Sequence, residues 1–110
     1  MSLFKQNVIK AVSLVPKGKV ASYGQVAAWI GQPRAARQVG GTLRSIEENA
    51  KVPWWRVVNN AGVISIKGAK YATKELQKSL LEKEGVKVQK DFTLDIEKYR
   101  FKPDPRSVKL

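Results

Sequence analysis

Cysteine and histidine are both absent from this sequence of 110 residues. Without cysteine there can be no disulfide, no thiolate nucleophile and no thiolate metal site. Without histidine, the side chain that most often acts as a general base or a metal ligand is missing as well. The composition therefore argues against a catalytic centre built on a thiol or an imidazole, and we expect neither a metal nor a cofactor.

Long apolar runs and acidic residues are also scarce. No stretch approaches the ~20 apolar residues that cross a bilayer, and the first residues lack a signal-peptide pattern, so we expect an intracellular protein without membrane association. Only 9 acidic residues oppose 21 lysines and arginines, which gives a formal charge of +12. Such a field attracts polyanions and favours nucleic acid, with a solvated basic surface or an anionic membrane as the alternatives.

Apolar residues at helical spacing predict four helices in one domain. These helices are expected over residues 3–15, 23–30, 34–46 and 73–85. Ser22 and Gln25 match the capping box that would begin the second helix. Gly85 fits a left-handed stop after the fourth helix.

A β-hairpin is predicted between the last two helices. Val57 and Val58 would form one arm, residues 59–62 the turn, and Val63 and Ile64 the other arm. The expected fold class is therefore mostly α with a small β-hairpin, in a domain of residues 1–101. Residues 102–110 contain two prolines and no apolar pattern, so we expect a flexible tail.

The predicted helix over residues 34–46 has two distinct faces. Its buried stripe is expected to contain Ala35, Val39, Leu43 and Ile46. The opposite face presents residues at steps of three and four, namely Arg34, Arg37, Gly41 and Arg44. Two short helices joined by a turn containing Gly31, the second with an arginine face, are typical of a helix-turn-helix. An ordinary solvated helix face is the alternative, although small residues would let a DNA groove approach closely.

The order of motifs resembles the DNA-binding domain of the O6-alkylguanine-DNA alkyltransferases, over most of residues 3–90. The matching stretches are GKVASYGQVAAWIGQPRAARQVGGTLR, PWWRVVNNAGVIS after eight linking residues, and LLEKEGV. This resemblance implies a winged helix-turn-helix-like fold. Active members carry Pro-Cys-His-Arg, in which the cysteine accepts the alkyl group, whereas this sequence has Pro53-Trp54-Trp55-Arg56. Because an indole is neither a nucleophile nor a general base at neutral pH, the chain resembles the non-enzymatic alkyltransferase-like branch.

The resemblance also implies a lesion pocket. Tyr23 matches a tyrosine that helps to rotate the target phosphate and lines the pocket, and Lys67 would lie near the O6 edge of the base. We expect Trp54 in the pocket wall, with the core as the alternative, and Trp55 in the core or scaffold. The full set expected at the pocket is Tyr23, Trp54, Arg56, Val57, Val58 and Lys67.

Arg37 matches the arginine finger of the family, which enters the base stack in place of the extruded nucleotide. Further DNA contacts are expected from Arg34, Ala35, Ala36, Gln38, Gly41, Arg44, Lys19 and Ser22. Glu84 matches the glutamate that orients the histidine of active enzymes. With no histidine present, we expect Glu84 to make a structural hydrogen bond or to be exposed.

The function implied by the resemblance is recognition of DNA damage. A monomer would bind O6-alkylguanine in double-stranded DNA by nucleotide flipping, without alkyl transfer, and would flag it for nucleotide excision repair proteins such as UvrA. The expected localisation is the cytoplasm, associated with the nucleoid, in a bacterium and the nucleus in a eukaryote. The alternatives are a sequence-specific winged-helix transcription regulator and a non-specific architectural DNA-binding protein.

Overall fold

Helices dominate the structure, a computed structural model that describes residues 2–104. In chain order the elements are α1 (Leu3–Val12), β1 (Ala21–Ser22), α2 (Tyr23–Trp29), α3 (Ala36–Arg44), a 3₁₀ turn (Trp54–Arg56), β2 (Val57–Val58), α4 (Lys74–Lys83) and α5 (Ile96–Tyr99). The mostly helical fold class is confirmed, and each of the four predicted helices is present within its expected span. Within residues 2–104, no helix is both long and apolar enough to cross a membrane.

Side-chain caps explain where several helices begin. The predicted capping box is confirmed, since Ser22 Oγ accepts from the Gln25 amide and Gln25 Oε1 accepts from the Ser22 amide, both at 3.0 Å. Thr73 caps α4 by accepting from the Leu76 amide at 3.2 Å. At the other end of α4, Gly85 has the left-handed φ of 90° that its predicted role as a stop requires.

The predicted β-hairpin is wrong. Val57 and Val58 pair in parallel with Ala21 and Ser22, not with the segment that follows them. Residues 59–63 do form a turn, in which the Asn59 amide donates to the Val63 carbonyl at 3.1 Å. The chain beyond that turn joins a different partner, because Val63 forms an isolated antiparallel bridge with Thr93.

Gly62 explains why this second arm lies where it does. A Cβ atom on Gly62 would come within 2.2 Å of the Leu94 carbonyl oxygen, so only glycine fits this close approach. The Leu94 amide donates to the Gly62 carbonyl at 2.8 Å, and the Ile64 amide donates to the Phe92 carbonyl at 2.9 Å. The segment around residue 93 therefore takes the place of the expected hairpin partner.

The core is formed where α1, α2 and α3 meet, and it continues under the short sheet. The predicted apolar stripe of α3 is confirmed, because all four members are buried: Ala35, Val39, Leu43 and Ile46. The C-terminal segment closes this core. Its Phe101 ring packs edge-on against Trp29 at 6.0 Å, and its amide donates to the Val20 carbonyl at 2.7 Å. Residues 102–104 have no regular structure, and the rest of the predicted flexible tail lies outside the described residues.

Candidate functional site

A small pocket opens beside the arginine-bearing face of α3. Its volume is about 190 Å³, and three parts of the chain form it: the start of α2, the exposed side of α3 and residues 65–67. The lining residues are Tyr23, Ala36, Arg37, Gly40, Gly41, Arg44, Ser65, Ile66 and Lys67. We call it the Tyr23 pocket. Three arginine or lysine side chains and no acidic side chain line it, so it favours a ligand that is negatively charged or rich in acceptors.

Tyr23 joins the pocket to the body of the protein. Burial raises the pKa of its phenol, while a hydrogen bond with Ser65 and the positive charge of Arg44 act in the opposite direction. Because the net shift is upward, the hydroxyl is protonated at neutral pH and can donate to a phosphate or a base. The capping box that begins α2 fixes the backbone on which this ring is carried.

Glycine on α3 allows the Tyr23 ring to lie close to that helix. A Cβ atom on Gly40 would be 3.7 Å from Tyr23 Cε1, which is already van der Waals contact. A larger side chain at this position would therefore fill the space between α2 and α3. The small residues of α3 thus leave room for the pocket as well as for an approaching surface.

Trp54 is buried in the core and does not line the pocket. Its side chain is 2% exposed and is the largest of the fully buried side chains among the described residues. The ring packs edge-on against Trp55 and Tyr71, with centroids 6.0 Å away in both cases. The expected pocket wall from Trp54 is not observed in this structure, because the 3₁₀ turn directs this ring into the core.

Val57, Val58 and Arg56 are also absent from the pocket lining. The two valines form β2, one strand of the sheet, and are buried at 1% and 0% exposure. The Arg56 side chain does not reach the pocket, because it forms an ion pair with Glu84, whose Oε2 is 2.6 Å from Arg56 Nη2. Of the six residues expected at the pocket, the structure brings together Tyr23 and Lys67.

Glu84 organises a second cluster, at the end of α4. Its carboxylate accepts hydrogen bonds from Trp55 Nε1 at 3.0 Å, from the Arg56 guanidinium and from the Gly18 amide at 3.3 Å. Arg56 also donates to the Val15 carbonyl at 2.8 Å. The cluster therefore joins three parts of the chain: the turn after α1, the 3₁₀ turn and the end of α4. The structural hydrogen bond expected of Glu84 is present.

The hydrogen bonds to Glu84 determine its titration. Burial acts to raise the pKa of this carboxyl group, but hydrogen bonds from Arg56, Trp55 and the Gly18 amide outweigh burial and lower the pKa below its ordinary value. Glu84 is therefore ionised at neutral pH and paired within the protein. No acid or base of the Tyr23 pocket depends on it.

Gln77 and Ser65 are site residues that the sequence reasoning missed. Gln77 is 1% exposed, and its amide donates to the carbonyls of Trp55 and Val57 at 3.0 and 2.8 Å, which ties the middle of the 3₁₀ turn and the start of β2 to α4. A polar residue on the inner face of α4 was the available signal. Ser65 had no such signal, since its contact with Tyr23 joins residues far apart in the chain.

The predicted DNA contacts on α3 fall into two groups. The side chains of Arg34, Arg37, Gln38 and Arg44 are exposed, and Ala36 and Gly41 are partly exposed beside Arg37 and Arg44 in the Tyr23 pocket. Two other expected contacts are not available on the surface. Ala35 is 8% exposed and packs in the core, and Ser22 is 2% exposed with its hydroxyl engaged in the helix cap. Lys19 is exposed at the turn before β1.

A basic pocket beside a helix of small residues and arginines is the arrangement expected of the DNA-binding domain predicted from the sequence. Residues 3–86 match the family model of the 6-O-methylguanine DNA methyltransferase DNA-binding domain, and the chain belongs to this family. It has no cysteine in the pocket or elsewhere, so it lacks the nucleophile for alkyl transfer.

Within the family, the chain is similar to proteins named for base flipping or as alkyltransferase-like, which confirms the predicted branch. It is 43% identical to the DNA base-flipping protein of Escherichia coli K12 over 98 residues, which cover 89% of this chain and 74% of that protein. It is 37% identical over 107 residues to alkyltransferase-like protein 1 of Schizosaccharomyces pombe, covering 94% and 98% of the two chains.

The fold agrees with these similarities. The crystal structure of the S. pombe protein in complex with damaged DNA containing O6-carboxymethylguanine matches with a TM-score of 0.86 at 38% identity. The match covers 94% of this chain and 98% of the S. pombe chain.

Proposed function

We propose that this protein recognises O6-alkylguanine in double-stranded DNA by turning the nucleotide out of the duplex, and that it does so without alkyl transfer. One observation carries the proposal: an open basic pocket adjoins the arginine face of α3, while the position of the family's reactive cysteine holds a buried tryptophan. The pocket brings Tyr23 and Lys67 together with Arg37, and the chain has no cysteine that could accept an alkyl group.

Arg37 and Tyr23 would act on different parts of the extruded nucleotide's surroundings, Arg37 on the base stack and Tyr23 on the phosphate. Arg37 is exposed on α3 at the rim of the pocket, where its planar guanidinium can enter the stack and bind the orphaned base. Tyr23 presents a neutral hydroxyl that can donate to the rotated phosphate. Extrusion costs a few kcal/mol, and this cost is lower for a poorly paired alkylated guanine, which is one source of selectivity.

Lys67 gives the pocket a cation on the side opposite α3. It lines the pocket next to Ser65 and Ile66, and its side chain is exposed. A cation there would detect the altered potential at the O6 edge of the base. Ile66 anchors this part of the pocket in the core, since its side chain is 6% exposed.

Because no alkyl group is transferred, the lesion stays in the DNA and the protein can remain bound to it. A bound protein of this kind could mark the lesion for other repair proteins. We propose that a monomer on the lesion presents it to nucleotide excision repair, with a damage sensor such as UvrA as the partner. The flipped base and the distorted duplex would form part of the recognised surface. This step is separate from lesion binding, so it would be tested with the repair proteins themselves.

A titration of two matched duplexes tests the proposed function. The duplexes have one sequence and differ only in a central guanine or O6-methylguanine. We expect the O6-methylguanine duplex to bind at least about tenfold more tightly, which corresponds to about 1.4 kcal/mol. Equal affinities would contradict lesion recognition and would favour an architectural protein. A preference that follows the flanking sequence, and not the methyl group, would favour a transcription regulator.

A further inference from the structure

A second basic surface lies away from the Tyr23 pocket, around the end of α4. The Gly18 amide donates to Glu84, which brings the turn of residues 16–19 against the last turn of that helix. The Lys87 amide donates to the Tyr99 hydroxyl at 3.2 Å, which adds two further parts of the chain. Five exposed lysines lie on these segments, and we call them the lysine patch: Lys17, Lys19, Lys83, Lys87 and Lys98.

The carboxylates next to the lysine patch do not neutralise it. Glu84 is occupied by Arg56, at 2.6 Å. Glu82 pairs with Lys78 at 3.0 Å, and Glu97 pairs with Arg100 at 2.9 Å. Asp95 also lies beside the patch, since its Oδ1 accepts from the Lys98 amide at 3.3 Å. With this one carboxylate against five lysines, the patch keeps an excess of positive charge, whose potential falls off over a Debye length of about 8 Å at physiological salt.

We propose that the lysine patch binds the phosphate backbone of the same duplex that enters the Tyr23 pocket, outside the lesion. This proposal rests on the proposed function for the presence of DNA, and it adds a second contact surface. Lys19 is four residues from Tyr23, so their Cα atoms are at most about 14 Å apart. A duplex bound at the Tyr23 pocket therefore comes close to Lys19, and the proposal requires that it continue over the rest of the patch.

The composition of the patch favours a phosphate backbone over a protein partner. Stable protein interfaces depend on aromatic or arginine anchors in desolvated pockets. The patch offers lysines, and the ring of Tyr99 within it is already covered by Lys98, whose Nζ lies 5.4 Å from the ring centroid. Lysine binds phosphate as a flexible point charge and carries no base specificity. The expected contribution is therefore affinity and salt dependence, without lesion selectivity.

Two triple variants with equal charge change test the patch. K17Q/K83Q/K87Q removes three lysines of the patch, whereas K10Q/K51Q/K74Q removes three exposed lysines outside it, with Lys74 at the opposite end of α4. Affinity for 24-bp duplexes with guanine or O6-methylguanine is measured over a range of salt concentrations. Each lost phosphate contact should reduce the slope of log K against log salt by about 0.9.

The patch variant should lose about two to three units of slope, and the control variant less than about one. The affinity of the patch variant should fall by the same factor for both duplexes, so its preference for the lesion should equal that of the wild type. Equal slope changes in the two variants would overturn the proposal.

If the wild type shows no lesion preference while the patch variant still loses slope, the lesion function fails and the patch proposal stands. If the patch variant keeps the DNA slope of the control but loses binding to phosphatidylserine vesicles, the surface is a membrane site and the proposal is overturned.

Discussion

Trp55 occupies the position at which active relatives, by the resemblance of the motif, carry a histidine. Its indole nitrogen donates to Glu84 at 3.0 Å, so the glutamate keeps an N–H partner after the loss of the imidazole. Arg56 stacks over the Trp55 ring at 5.4 Å while it pairs with the same carboxylate. By the same resemblance, these positions would serve catalysis in active members, and here they form a structural joint between the 3₁₀ turn and the end of α4.

This joint predicts how Glu84 contributes to stability at different pH values. Because the folded protein lowers the pKa of Glu84, its contribution is fully present above the ordinary carboxyl pKa of about 4.3. The contribution is lost as the pH falls from there through the lower pKa of the folded state. Glu84→Gln should reduce the free energy of unfolding at pH 7 by about 1–3 kcal/mol. The variant should also lose less stability than the wild type between pH 5 and pH 3, as measured by urea unfolding.

Glu48→Gln is the matched control, since it makes the same charge change at an exposed side chain. It should leave the stability at pH 7 within about 0.5 kcal/mol of the wild type. If Glu84→Gln behaves like Glu48→Gln, the cluster at the end of α4 does not stabilise the fold.

The sequence predicted which residues belong to the two clusters better than it predicted the directions in which their side chains point. The sequence identified Glu84 and Tyr23 because each lies in a recognisable motif. It placed Trp54 in the pocket wall, whereas the structure buries this ring and puts Ile66 and Ser65 in the wall. Which of two adjacent rings points inward depends on the geometry of the 3₁₀ turn, and that geometry is fixed by Gln77 from another helix.

At the scale of elements, the sequence of α3 lowers the stability of the helix and keeps its outer face small enough for another surface to approach closely. It begins at Ala36 after an alanine, which has no polar atom with which to cap the helix. It also contains Gly40 and Gly41, and glycine in a helix costs roughly 0.5–1 kcal/mol relative to alanine. The stability of α3 therefore depends on its buried stripe, while its outer face remains small.

Gly41→Ala should separate these two properties of α3. A Cβ atom there would be 3.7 Å from Arg44 Nη2, so alanine fits in the free protein. We expect the free energy of unfolding to rise by about 0.5–1 kcal/mol. Affinity for both duplexes should fall several-fold, because the added methyl group stands on the face that meets the DNA. Thermal unfolding and duplex titration measure the two effects.

Ser79→Ala provides the comparison, because it replaces an exposed residue in the middle of α4 with a better helix former. It should raise stability by a smaller amount and leave DNA binding unchanged. Unchanged DNA affinity in Gly41→Ala would mean that this part of α3 does not approach the duplex.

The helices were predictable because their signals are local, whereas the strands were not. Capping residues, Gly85 and the apolar period of α3 all act within a few neighbouring residues. The strands depend on partners that are distant in the sequence, Ala21 for Val57 and Thr93 for Val63. Local alternation favoured a hairpin, and the longer-range pairing replaced it.

The whole molecule combines a strongly positive charge with a small pocket beside α3. Its formal charge of +12 attracts DNA of any sequence, and we propose that the Tyr23 pocket of about 190 Å³ selects a particular nucleotide. Composition alone predicted the first property. The second required knowing that α2, α3 and residues 65–67 converge, which the order of motifs indicates only by resemblance to a family.

Extrusion of the lesion is the central claim, and fluorescence measures it most directly. A fluorescent cytosine analogue opposite O6-methylguanine is quenched while it is stacked and paired, and it brightens when the partner base leaves. Arg37→Ala removes the residue proposed to fill the gap, and Lys19→Ala serves as a control that removes one positive charge elsewhere.

We predict that the wild type and Lys19→Ala reach the same bright plateau at saturation, with a lower salt dependence of binding for Lys19→Ala. Arg37→Ala should reach a much lower plateau even when it is fully bound. Saturated binding of the wild-type protein with unchanged fluorescence would contradict nucleotide flipping.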